Sequence, residues 1–368
     1  MKHYHTRVAQ LAEILDTYQY PLPFSEHLKQ YFRTNKKAGS KDRREIRSLA
    51  YTFFRIANAV ENKTLENIAE IAAKYLDYEG DSIDFIYETE GIQADSIFTF
   101  NDYLSESFKN EEFQLSFLTQ PAVWIKIKPG KENEVIAELK EQDIAFNTHS
   151  SQVLSFENEA KLTDLQGFKH GNFRIQDLSS QSVSSSFKAS AGENWWDSCA
   201  GSGGKSMALL EEQPDIHLYA SDIRESILNN LHERFRIAGL KNTNIFAADV
   251  TQQIINQHLP EFDGIIIDAP CTGSGTWARN PENLQYFDPE TIKTYQERQL
   301  AILENVFPFL KTGKPLIYIT CSVFKMENED VISKFAENHE FKIEEQKYLE
   351  GYKQSAENMF LCRMIKTE

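Results

Sequence analysis

FDGIIIDAPCTGSGTWARNP, residues 262–281, opens with an apolar run too short for a helix and β-branched enough for a strand buried on both faces. Phe262 stands just ahead of Gly264, and Ile265, Ile266 and Ile267 follow it. The stretch then changes character: an acid, Asp268, a proline that stops the strand, Pro270, and a thiol, Cys271, lead into a loop carrying Gly273 and Gly275. Glycines there let backbone approach a ligand closely. Open parallel sheets bind ligands at this end of their strands.

Fifty residues on, the pattern recurs. Leu316-Ile317-Tyr318-Ile319 leads into Thr320-Cys321-Ser322 and then Glu327-Asn328-Glu329. If the two strands are parallel neighbours, both sulfurs and the Asp268 carboxylate open into one crevice, where a thiolate can attack and a carboxyl group can handle protons. The competing reading makes both cysteines small buried hydrophobes.

Around these strands the chain alternates from about residue 193. Strands are expected at 195–197, 217–220, 244–247, 264–268 and 315–320, with helices at 205–212, 224–238 and 289–310 between them, which is a doubly wound parallel sheet. Segments 341–344 and 359–365 supply two more strands, one of them a candidate antiparallel member. Ahead of this lies a β-α-β-β pattern: strands at 123–127, 144–147, 153–156 and 172–175, with a helix over 131–142. The first 117 residues are helical in period. Val8, Leu11, Ile14, Leu15 and Tyr18 form one stripe, Ile46, Leu49, Ala50, Phe53, Phe54 and Ala57 another, and 65–76 and 98–117 repeat the habit.

At 368 residues the chain exceeds one typical core, so two or three domains are expected. The N-terminus is amphipathic, with no apolar core or small-residue cleavage site for export, and no stretch is long and apolar enough to span a membrane. Four cysteines (199, 271, 321, 362), none in CxxC spacing, point to neither a disulfide scaffold nor a metal site and fit a reducing cytoplasm. A net charge of −16 argues against nonspecific coating of nucleic acid. Between Lys29 and Arg47, however, eight cations (Lys29, Arg33, Lys36, Lys37, Lys41, Arg43, Arg44, Arg47) face only Asp42 and Glu45, which makes a candidate phosphate-facing patch or a solvated helix face.

The first strand of the alternating region turns into Cys199-Ala200-Gly201-Ser202-Gly203-Gly204-Lys205-Ser206 and then a helix, whose first N–H groups are unpaired. Gly204-Lys205-Ser206 imitates a P-loop, but Cys199 stands where the first glycine belongs. A nucleoside site instead needs an acid at the end of the next strand to hold ribose hydroxyls. Asp222 lies 21 residues after Gly201, and Asp249 follows the third strand as a candidate partner for a base amino group. A P-loop has no use for this ladder of acids, and the nucleoside reading is preferred.

With these residues in place the chain resembles the RsmB/Fmu/Sun family of RNA (cytosine-5) methyltransferases over nearly its whole length. Cys199 to Lys205 is similar to the family's S-adenosylmethionine loop, Asp222 to its ribose acid and Asp249 to its adenine-side acid. Asp268-Ala269-Pro270-Cys271 and Thr320-Cys321-Ser322 resemble its two thiol motifs, and Gln176-Asp177 with Ser180-Gln181 the motif before the first strand. The resemblance implies a helical NusB-like domain (1–117), a small α+β RRM-like module (118–176) and a Rossmann-like methyltransferase domain (177–368). It further implies Cys321 as the nucleophile on cytosine C6, Asp268 as the group at the base near N3 and a cofactor contact, and Cys271 as the aid to release. The implied partner is RNA, ribosomal ahead of transfer RNA, for a monomer without metal or membrane. Gly201 and Ser202 depart from the family's Ala-Pro and should loosen the turn; Lys325 and Met326 occupy the place of a common proline. Because DNA cytosine-5 enzymes attack with a Pro-Cys thiol, Cys271 is the second candidate nucleophile. The rival functions are a noncatalytic RNA-binding or assembly factor and a P-loop ATPase.

Overall fold

The computed structural model describes residues 4–36, 38–79, 82–89, 91–157, 161–240, 243–253 and 259–368. The chain divides into two compact units, one formed by Met1–Gln120 with Thr276–Pro289 and the other by Pro121–Gly275 with Glu290–Glu368.

The first unit is helical, with longer helices at Tyr4–Thr17, Phe24–Thr34, Ser40–Ile56 and Leu65–Asp77. Their apolar stripes supply its core: Leu11, Ile14, Leu28, Ile46, Leu49, Ala50 and Phe54 are buried. The segment 98–117 departs from the expected helix. It runs as single helical turns, Asn101–Tyr103, Glu106–Phe108 and Ser116–Leu118, around one short helix, Glu111–Leu115. Its aromatic residues account for this. Phe98, Phe113 and Phe117 converge in one cluster with ring centroids 5.0–5.5 Å apart, and Trp277 joins them 6.0 Å from Phe98. A straight helix cannot turn so many rings toward one point. In the basic stretch, Asp42 and Glu45 are both engaged by the buried Arg7, at 2.5 and 3.2 Å. Lys37 lies outside the described residues.

The second unit holds two sheets. The smaller consists of β1 (Val123–Ile127), β2 (Asn147–Ser150), β3 (Val153–Phe156) and β4 (Phe173–Ile175), in the order β2-β3-β1-β4 with every pair antiparallel. Alternation along β1 sends Ile125 and Ile127 onto Val135 and Leu139 of the helix Glu132–Glu141. Residues 144–146 are not a strand as expected. Ile144 and Phe146 pack against that core as loop, and the hairpin begins only at Asn147. On the opposite face Trp124 is 1% exposed and donates through Nε1 to the Ser355 carbonyl, so this part of the sheet is covered within the unit.

The larger sheet consists of β5 (Asn194–Asp197), β6 (His217–Asp222), β7 (Thr243–Ala247), β8 (Gly264–Asp268), β9 (Pro315–Thr320), β10 (Phe341–Leu349) and β11 (Met359–Lys366). Their order is β10-β11-β9-β8-β5-β6-β7. The five strands from β5 to β9 pair in parallel, and β11 alone runs against them between β9 and β10. The central β8 and β9 are buried along their whole apolar runs, which is why they read as continuous hydrophobic stretches. Chain order reverses at β5, which has β6 on one side and β8 on the other. A crevice therefore opens beyond the C-terminal ends of β5 and β8.

Candidate active site

Every catalytic and cofactor-binding residue nominated from the sequence lies in the second unit, and five of them line that crevice. A cavity of about 520 Å³ is lined by Cys199, Asp222, Asp249, Asp268 and Cys271, and also by Arg298 from the helix Thr291–Val306. Parallel pairing of β8 and β9 brings the two thiols together, with Cys271 Sγ 3.3 Å from Cys321 Sγ. Cys321 itself is partly exposed. The hydrogen bond with Cys321 and burial push the Cys271 thiol well above its ordinary pKa.

The turn after β5 is tied from several directions. Gly203 adopts φ +83°, and a Cβ there would come within 2.2 Å of Leu231, so this position requires glycine twice over. Gly201 N–H donates to Asp222 Oδ2 at 3.0 Å, and Arg234 donates to both the carbonyl and the hydroxyl of Ser202. These bonds hold a turn that Gly201 and Ser202 were expected to loosen. Lys205 is buried and reaches Asp268 at 3.0 Å and the Ser180 hydroxyl at 2.8 Å, while Ser206 donates to Asp197 at 2.6 Å. Both side chains are thus committed inward, unlike those of a phosphate loop. Burial works to lower the Lys205 ammonium, but the charge and hydrogen bond of Asp268 outweigh it and raise the pKa.

Asp222, at the end of β6, accepts from Gly201 N–H and from the backbone and side chain of Arg224. Burial works to raise its carboxyl, yet the Arg224 contacts and the Gly201 amide hold it below the usual range. Asp249 lies two residues past β7, exposed, and accepts from the Thr251 amide and hydroxyl.

A clamp behind the thiols joins loops that are fifty residues apart. The buried Glu327 carboxylate accepts from the Thr272 amide and hydroxyl, next to Cys271, and from the Ser322 hydroxyl, next to Cys321. Asn328 accepts from Thr320 Oγ1 at 2.6 Å and donates to the Ser322 carbonyl at 2.9 Å, bracketing Cys321. Gly275 closes the assembly: its N–H donates to the Cys321 carbonyl at 2.8 Å, and a Cβ would lie 2.2 Å from the Asn358 carbonyl and 2.9 Å from that of Cys321. Gly275→Ala should therefore destabilise the protein by about 3 kcal/mol, because rigid backbone carbonyls must move aside. An unchanged denaturation midpoint would show that the loop yields freely.

Three contributors had not been singled out. Asp197 is fully buried at the end of β5, and burial, with the nearby Asp268 charge and against the Ser206 hydrogen bond, pushes its carboxyl up to about 7. An acid closing the run Trp195-Trp196 was the available signal. Gln299 donates to the Pro270 carbonyl and to Glu327, and Arg298 lines the cavity; mid-helix positions gave no signal for either. Gln176, named only by resemblance, donates to Ser180 and to the Gly204 carbonyl, latching the turn from before β5.

Comparison with known proteins places this architecture. Residues 185–366 match the model of a family described as 16S rRNA methyltransferase RsmB/F. That region belongs to the RsmB/F methyltransferase family. The RsmB/F region contains all the strands of the larger sheet and every nominated catalytic and cofactor-binding residue from Cys199 to Cys321. A probable ribosomal RNA small subunit methyltransferase B from Synechocystis sp. is 30% identical over 69% of this chain and 60% of its own length. The chain spans about half to three-fifths of the length of the curated relatives it matches. Among solved structures, PH0851 is 20% identical and covers 99% of this chain and 98% of its own at a TM-score of 0.72. A methyltransferase homolog protein from Pyrococcus horikoshii, also 20% identical, covers 81% of this chain and 99% of its own at 0.61. The fold is Rossmann-like, of the methyltransferase type, with a helical N-terminal region.

Proposed function

We propose that the protein is an S-adenosylmethionine-dependent RNA (cytosine-5) methyltransferase that acts on ribosomal RNA in the cytoplasm through a cysteine–C6 covalent intermediate. The 3.3 Å approach of Cys271 and Cys321, with Asp268 lining the adjoining cavity, carries this reading. Two thiols on separate strand ends have no structural need to meet, since neither is in a disulfide.

The donor set fits the cofactor. Asp222 beside the Cys199–Lys205 turn offers acceptors to ribose hydroxyls, Asp249 in the same cavity lining offers one to a base amino group, and carboxylates in the crevice suit a cationic sulfonium. When bound, S-adenosylmethionine supplies an electrophilic methyl group. The chain's own residues do the rest. Cytosine C5 is too weak a nucleophile by itself; the Cys321 thiolate adds to C6, forming an S–C6 bond and leaving C5 enamine-like. Asp268, held by Lys205, polarises or protonates the base at N3. Once C5 carries the methyl group its proton must pass to a base, and the C6–S bond then breaks to return the Cys321 thiolate. Cys271 stands where it can assist that release. The target base must be unpaired or flipped to enter the crevice.

Labelling of RNA from methyl-labelled S-adenosylmethionine, followed by mapping of 5-methylcytosine, tests the whole reading; absent transfer to any RNA would favour a noncatalytic role. Asp222→Ala should weaken cofactor affinity by roughly 1.5–3 kcal/mol, the range for hydrogen bonds to a charged group. Unaltered affinity by calorimetry would overturn the cofactor assignment.

A further inference from the structure

Apart from the thiol crevice, one groove combines charge and apolar surface in a way the mechanism above does not use. It has a volume of about 420 Å³, within the range of ligand pockets. It runs between the small sheet and the helices Gly204–Glu212 and Glu225–Ala238. Five cations converge on it, Lys126 and Lys128 from β1 and its end, Lys169, Arg174 from β4 and Arg234, against a single carboxylate, Glu211. In a chain of net charge −16 this is a marked local inversion.

The cations differ in how they are satisfied. Arg174 pairs with Glu211 and bonds Gln176, and Arg234 is held by Ser202. Lys128 reaches only the Ala238 carbonyl, at 3.2 Å. The ammonium groups of Lys126 and Lys169 have no hydrogen-bond or ion-pair partner among the described residues. Lys126 is half-buried, and β1–β4 register places it directly opposite Arg174. Burial, with the Arg174 charge adding, lowers its ammonium pKa. Five like charges sharing one carboxylate are a cost to the protein alone, and an anion in the groove relieves it.

The walls carry the second half of the pattern. Phe168, Phe173, Ile175, Met207, Ile237 and Leu240 face the same space. Ile175 is exposed. An apolar floor rimmed by lysines suits a polyanion whose flat apolar parts are unstacked, which describes single-stranded nucleic acid and not a duplex. Arg234 also ties the groove to the cofactor turn, because the same guanidinium holds Ser202.

We propose that this groove binds an unpaired segment of the RNA substrate, with phosphates along Lys126, Lys128 and Lys169 and a base against the apolar wall. The proposal rests on the RNA reading above and extends it to a site distinct from the thiol crevice. It places a strand-holding surface on the side of the molecule formed by the small sheet.

The test uses the full chain with Lys126, Lys128 and Lys169 all changed to Gln. Binding of an unpaired oligoribonucleotide is followed by fluorescence anisotropy over a range of salt concentrations. Losing three phosphate contacts should flatten the log–log salt slope by about 2, at roughly 0.7 per contact for single strands, and weaken low-salt binding about tenfold or more. Cofactor affinity should stay as it was. If the triple variant does not fold, Lys169→Glu alone, at an exposed position, should lower both affinity and slope. An unaltered slope and affinity overturn the groove, as does equal binding of a perfect duplex or of free cytidine monophosphate in competition. Methyl transfer by the unaltered protein is measured alongside. A lost slope without any transfer would retain the groove and reject the enzyme, whereas transfer with an unaltered slope would do the reverse.

Discussion

Cys271→Ala should accumulate a protein–RNA adduct that survives denaturing gel electrophoresis, while Cys321→Ala should abolish methyl transfer without forming any adduct. The two sulfurs lie 3.3 Å apart, yet the proposed chemistry separates them in time. Attack on C6 needs only the thiol at 321, so removing Cys271 leaves addition and methyl transfer intact. Resolution is what stalls, and the C6–S bond persists. The double variant should therefore show no adduct. Loss of Cys321 removes the covalent step itself and should cost several orders of magnitude in rate. An adduct from Cys321→Ala but not from Cys271→Ala would reverse the roles. Retained activity in both variants would leave the thiols as packing groups only.

Asp197→Asn should stabilise the protein above neutral pH, a result that a purely structural view of a buried acid would not anticipate. The carboxyl is held up to about 7 in the folded chain against an ordinary 3.8. Between those values the folded state keeps a proton that the unfolded state has released. Folding then takes up a proton, so stability is highest at the acid end of the window and falls as pH rises toward 7. The difference corresponds to roughly 4 kcal/mol when fully developed. Asparagine keeps an acceptor for Ser206 without a charge to bury. Melting temperatures of the two proteins should therefore diverge as pH rises through this window, the variant being the more stable on the alkaline side. Parallel curves at all pH values would show that Lys205 and its surroundings already compensate the charge.

Much of the larger sheet was legible because its central strands are buried on both faces. Gly264–Asp268 and Pro315–Thr320 match their expected limits, since each run of β-branched and apolar residues ends where polar chemistry begins. The placement of acids at strand ends followed from the same logic. What escaped the sequence was held together over long separations. Glu327 bridges Thr272 and Ser322, and Gln176 reaches across to Gly204, and no local period encodes either partnership. The segment 98–117 was misleading for a related reason: its phenylalanines recur at helical intervals but are gathered by tertiary packing. Ile144 and Phe146 likewise alternate as a strand would, while serving a core from a loop.

Thr276–Pro289 begins immediately after Gly275, yet its side chains complete the helical unit: Trp277 and Leu284 are buried, and Arg55 donates to the Ala278 carbonyl. The covalent chain consequently passes between the two units three times, after Gln120, Gly275 and Pro289. A shortened protein starting at residue 121 would keep the whole larger sheet but carry the orphaned apolar segment 276–289 directly downstream of the Cys271 loop. Such a fragment should aggregate or lose its thiol geometry even though every strand remains. Proteolytic nicking near residue 120 should, for the same reason, leave the helical fragment associated under native conditions, because part of its interior is supplied by the other side of the cut.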